Sequence, residues 1–146
     1  MFFNIPVFLQ NRNGCITIIK NFRDSYAAAV TRLASCGATG GTPDAAAIAH
    51  AGARLAAQPE GIKILLVIAD GEGSPPEVLA RIIKRQEKAG IICIGIGIAQ
   101  HMSEAFAHRA RVDDVAKLQE SGLGAILKAL AHGETAATVN AAHGGD

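Results

Sequence analysis

The chain has no tryptophan, and aromatic residues make up only 4% of its 146 positions. That scarcity argues against a nucleic-acid module built on base stacking. An excess of either charge is missing too. Fourteen basic and 13 acidic residues leave a formal net charge of +1, which implies neither a nucleic-acid surface nor an acidic solubilising region. The three cysteines are too few, and odd in number, for a complete disulfide framework. Cys15 and Cys93 fall in apolar strand-like runs and read as small buried hydrophobes, while Cys36, at a helix end, reads as the reachable thiol. A reduced, cytoplasmic compartment is the simplest expectation. The apolar opening "MFFNIPVFL" lacks a basic leader and a small-residue cleavage site and is too short to span a bilayer, so it reads as a strand.

What is present in quantity is apolar surface, at 49% of the residues. That is enough for one core, and the expectation is one domain over residues 1–132 with a disordered tail over 133–146, which has little to bury. Phe2 to Leu9, the turn signal Asn13-Gly14 and "CITIIK" predict an antiparallel hairpin. Tyr26, Val30 and Leu33 have helical spacing behind a cap at Asp24 or Ser25. A second helix opens at "TPDAAAIAHAGARLAA", with Thr42 as cap, Pro43 in the first helical position and Asp44 in the first turn. His50 and Arg54, one turn apart, are placed on its solvent side.

"IKILLVIA" and "IICIGIGI" read as parallel strands covered on both faces. Between them "SPPE" matches a capping box, with Ser74 as cap and Glu77 reaching back, and the helix it opens is expected to stop at Gly90. A helix over Met102 to His108, a brief strand at Ala110 to Val112, and a last helix from Asp113 or Asp114 to about Leu130 complete the pass. Alternating strands and helices predict an α/β fold with a doubly wound, mostly parallel sheet. Ligands of such sheets sit at the carboxyl ends of the strands, which is where Asp70 falls.

Candidate chemistry is sparse. Thr42 and Asp70 offer a hydroxyl and a carboxylate, part of the oxygen shell a hard cation such as Mg²⁺ takes. Each also has an ordinary reading, as a helix cap and as a strand-exit turn. "GIGIAQ" at Gly95 to Gln100, with Asp113 further on, outlines a dinucleotide fingerprint but ends in Gln100; a glycine exit from a buried strand is the simpler reading. His101, Glu104 and His108 would share one face of the helix expected there, without a zinc-protease spacing or a fourth ligand. The basic stretch Arg81 to Lys88 is the wet side of an amphipathic helix, with Ile82 and Ile83 inward. No Ser/His/Asp or Cys/His arrangement at catalytic spacing is found.

The stretch "GGTPDAAAIAHAGARLAAQPEGIKILLVIADGEGS" resembles the second half of a von Willebrand factor A (vWA) domain. It is most similar to the bacterial type found in aerobic cobalt chelatase and nitric-oxide-reductase activation proteins. "ITIIKNF", "GIICIGIGI" and "VDDVAKL" follow the family's order, and the resemblance covers residues 2 to 131. It implies a Rossmann-like sheet and a protein–protein interaction module, not an enzyme, with Thr42 and Asp70 as two elements of a metal-ion-dependent adhesion site for Mg²⁺. The family's Asp-x-Ser-x-Ser run has no match here. The chain opens at what resembles the family's second strand, so the expected domain is N-terminally truncated and its metal site incomplete. The implied partner is a ring-forming ATPase of the AAA+ class, in a setting of metal insertion or enzyme maturation. A homodimer or strand complementation is the implied means of completing the sheet, and neither nucleic acid nor membrane is expected as a partner. The alternatives are a small nucleotide-binding Rossmann-like protein using "GIGIAQ", and a structural fragment completed by another chain.

Overall fold

The computed structural model describes residues 7–10, 16–36, 44–59, 61–70, 73–120, 124, 127–128 and 131. The elements in chain order are β1 (Val7–Gln10), β2 (Ile16–Lys20), α1 (Tyr26–Ala34), α2 (Asp44–Ala56), β3 (Lys63–Ala69), α3 (Pro76–Lys88), β4 (Ile91–Ile98), β5 (His108–Val112) and a 3₁₀ turn (Val115–Lys117). Among these elements no helix is long and apolar enough to cross a membrane.

The fold is α/β. β3, β4 and β5 form a three-stranded parallel sheet in that order, with β4 in the middle. The predicted hairpin is present as a separate two-stranded sheet, in which β1 pairs antiparallel with β2 and the register shifts between Val7 and Phe8. β4 is buried along nearly all its length, as its continuous apolar sequence requires. Ile91 and Cys93 on it join Ile48 of α2, Leu79 and Ile83 of α3, Met102 and Phe106 in one cluster. Leu65, Val67 and Ala69, at alternate positions of β3, pack against the same cluster.

β3 departs from expectation. It lies at the edge of its sheet, and Leu66 and Ile68 are 38% and 46% exposed. Its apolar run predicted cover on both faces, but Leu66 and Ile68 lack it on theirs. α1 forms where predicted, with Ser25 as its cap: the Ser25 Oγ accepts the Ala28 N–H at 3.4 Å. Its apolar stripe nevertheless points outward. Tyr26, Val30 and Leu33 are exposed and only Ala29 is buried, so helical spacing correctly gave the element but not its buried face. The Asp24 carboxylate accepts hydrogen bonds from Arg32 and from the Asn21 N–H, and the Arg32 guanidinium holds its carboxyl below the ordinary value.

The expected capping box does not form. α3 begins behind Pro75, with no side-chain cap, and Ser74 turns to α2 instead. Two consecutive prolines remove N–H groups that a cap would otherwise satisfy, which frees the serine for other work. The helix expected over Met102 to His108 is also replaced. This stretch is irregular, and β5 begins already at His108. Met102 and Phe106, four apart, mimic a helical stripe, but both plug into the sheet over Gly95. A Cβ there would lie 2.5 Å from Met102 Cγ and 2.9 Å from Phe106 Cγ. Gly97 likewise allows the turn at Gln100 to fold back on the strand. His101, Glu104 and His108 therefore share no helix face. After Val115–Lys117 the chain is helical at residues 118–120, 124, 127–128 and 131, and Asp114 Oδ1 accepts the Ala116 N–H at 2.9 Å. The Asn13-Gly14 turn, Cys15 and the tail lie outside the described residues.

The glycine at Gly95 is a packing residue, and a side chain there must displace Met102 or Phe106. Gly95→Ala is expected to destabilise the fold by about 1–3 kcal/mol, and a second change, Met102→Ala, to recover part of that loss; denaturant unfolding of the three variants checks it. Burial pushes the Cys93 thiol up to about 12, so it stays protonated and inert. In a Cys15→Ser, Cys36→Ser background, a thiol reagent at neutral pH should label the chain only after denaturation.

Candidate functional site

The carboxyl ends of β3 and β4 open into a cleft of about 750 Å³, lined among others by Ala69, Ser74, Leu79, Gln100, His101 and Glu104. Its walls come from the start of α2, the end of β3, the Gly73–Pro75 connection with the first turns of α3, and the irregular stretch after β4. The reason they meet is local and specific. Asp44, in the first turn of α2 and only 8% exposed, accepts the Ser74 N–H on its Oδ1 at 2.7 Å. Ser74 Oγ in turn accepts the Ala45 N–H at 3.0 Å. A helix start has N–H groups without intrahelical partners. Here one of them is met by a serine 29 positions further along the chain, and the Asp44 carboxylate sits where the helix dipole favours a negative charge. Gly73 has to be glycine for this approach, because a Cβ would fall inside the van der Waals envelope of the Asp44 carboxylate.

Across the mouth, the Gln100 side-chain amide donates to the Asp70 carbonyl oxygen at 3.2 Å and ties the exit of β4 to the exit of β3. Ala99, just before it, holds a left-handed backbone with φ of 58°. Its N–H donates to Val112 O at 2.8 Å, which keeps the chain in that turn. A non-glycine residue in this conformation costs about 1 kcal/mol or more.

Of the predicted metal pair, Asp70 follows β3 directly and is exposed at the carboxyl edge of the sheet. Thr42 lies outside the described residues, two positions before Asp44. The start of α2 and the connection into α3 are joined, through Asp44, Ala45 and Ser74. Among the described residues no group of three or more His, Cys, Asp or Glu side chains is placed to hold a metal ion. "GIGIAQ" is not followed by a helix, since residues 101–107 are irregular, so it lacks the helix N-terminus that a pyrophosphate would sit on.

Sequence reasoning missed the roles of Ser74 and Gly73. The signal for Ser74 was ambiguous, because a serine three residues before a glutamate fits a cap in its own helix as well as one in another. Arg54 was also misplaced. It is half-buried rather than on the solvent side, and its Nη2 donates to Asn21 Oδ1, fastening α2 to the end of β2. Compared with protein-family models, curated proteins and solved structures, the chain matches none.

The two hydrogen bonds at Ser74 form one unit. Asp44→Ala and Ser74→Ala are each expected to cost about 1–3 kcal/mol. The double variant should cost clearly less than their sum, since each already disrupts the other's geometry. Denaturant midpoints of the cycle decide it, and strict additivity would show two independent contacts.

Proposed function

We propose that the chain is a protein-interaction module of the vWA type, with a doubly wound, Rossmann-like architecture. Its working edge is the carboxyl end of β3 and the start of α2. The single observation that supports this reading best is the Asp44–Ser74 pair. It joins the start of α2, two positions after Thr42 in the sequence, to the connection that follows Asp70. That is the relation an adhesion site of this type would need.

On this reading the Thr42 hydroxyl and the exposed Asp70 carboxylate are the two protein ligands of a Mg²⁺ ion, and both are hard oxygen donors of the kind it takes. The remaining positions would go to water and to a carboxylate of the partner. Asp44 is committed to the Ser74 N–H and is not a ligand on this reading. The partner would be a ring-forming ATPase of the AAA+ class, as the resemblance implies. The module itself would bind, not catalyse.

Thermal unfolding in EDTA and then in millimolar Mg²⁺ or Mn²⁺ tests the metal. A ligand that binds only the native state raises the midpoint according to its concentration over its affinity. The expected outcome is a saturable rise that Asp70→Ala and Thr42→Ala both abolish. A cooperative transition with an unchanged midpoint would leave the two corners as a cap and a turn only.

A further inference from the structure

α3 turns a basic stripe to solvent. Arg81, Lys84, Arg85 and Lys88 are all exposed, and steps of three and four residues put them on one face of the helix. The opposite face holds Leu79, Ile83 and Gln86, which are buried. The net charge of the whole chain is only +1, so the stripe comes from where the cations are placed and not from an excess of them.

The helix itself explains only half of it. Arg85 and Lys88 are in the last turn, where the dipole favours positive charge. Arg81 and Lys84 have no such reason. Arg81 stands one turn from Lys84 and Arg85, and Lys88 one turn from the same two, and like charges at that spacing repel and weaken a helix. Glu77 and Glu87 lie within one turn of Arg81 and Lys84, yet the ion pairs among the described residues are Arg32–Asp24 and Arg111–Asp113. The four cations of the stripe therefore repel one another without a carboxylate to offset them.

We propose that this stripe docks an acidic helix of a partner protein, with carboxylates repeating at the same steps of three and four. Arg81 to Lys88 covers about 10 Å, so two turns of a facing helix can set a row of carboxylates along it and relieve the repulsion. An antiparallel approach lays the N-terminal turns of the partner helix, where acidic residues are favoured, over the basic end of α3. Nucleic acid fits less well, since α3 has no aromatic side chain on which a base could stack. An anionic membrane fits less well too, because the stripe carries no large apolar side chain to enter lipid. The inference rests on the reading of the chain as an interaction module and names its partner's chemistry, but it does not depend on the metal.

The probe is a capped, fluorescent, alanine-rich peptide of about 20 residues with glutamates along one helical face. Its control has the same composition with the glutamates spread around the helix. Expected is saturable binding of the probe to the full chain at low ionic strength, with amide shifts centred on residues 81–88. Binding should weaken as salt is added and be unchanged by EDTA. Glutamine keeps helix propensity, so Arg81→Gln with Lys84→Gln should leave the unfolding midpoint equal or higher and weaken binding about fivefold or more. Arg23→Gln with Lys117→Gln removes two exposed cations from outside α3 and should change binding by less than about twofold. The proposal is overturned by an absence of binding at low ionic strength, by equal binding of the control peptide, or by equal loss in both double variants. It is overturned as well by a lowered midpoint in the α3 variant, which would give the two cations a role in the fold. Tighter α3-dependent binding of single-stranded RNA or of phosphatidylserine vesicles would also defeat it. Peptide binding without any Mg²⁺ response would overturn only the metal site, and a Mg²⁺ response without peptide binding only the docking stripe.

Discussion

The pairing of Asp44 with Ser74 governs the geometry of everything at the carboxyl end of the sheet. A buried carboxylate must find donors or remain at a cost of a few kcal/mol. Asp44 finds the Ser74 N–H, and Ser74 returns its hydroxyl to the first turn of the same helix. Because the two residues are in different connections, one before β3 and one after it, that local satisfaction has a long-range effect. It sets where α2 starts relative to the exit of β3, and with it the mouth of the cleft. Gly73 permits the approach, and the prolines that follow leave Ser74 without a role in its own helix.

β4 plays the corresponding part inside. Its odd-numbered residues Ile91 and Cys93 meet α2 and α3, and Gly95 receives Met102 and Phe106 where a side chain would exclude them. The glycines that outline a nucleotide fingerprint thus have a sufficient explanation in packing. The stretch that fills them has lost helical form because its two large apolar residues are anchored to a sheet. Burial of Met102 and Phe106 outweighs the small propensity gain of a short helix.

Among the described residues α2 contacts β1 of the hairpin as well as β3 and β4, and no strand-to-strand ladder joins the two sheets. That arrangement exposes an apolar edge at β3, and α1 adds an outward stripe of Tyr26, Val30 and Leu33.

Several elements were legible from residues alone. The strands at Ile16–Lys20, Lys63–Ala69 and Ile91–Ile98 follow from apolar runs, and α1, α2 and α3 from helical spacing and first-turn chemistry. The burial of Cys93 and the outline of an α/β fold follow from the same patterns. These are local properties, encoded within one turn or one pleat. Which face of α1 is buried, which strand forms the edge, and which helix Ser74 caps were decided only by tertiary structure. Each depends on a neighbour distant in sequence: the sheet beneath α1, the place of β3 beside β4, and the Asp44 carboxylate 30 positions before Ser74. The type of each element was thus local information, while its partners had to await the folded chain.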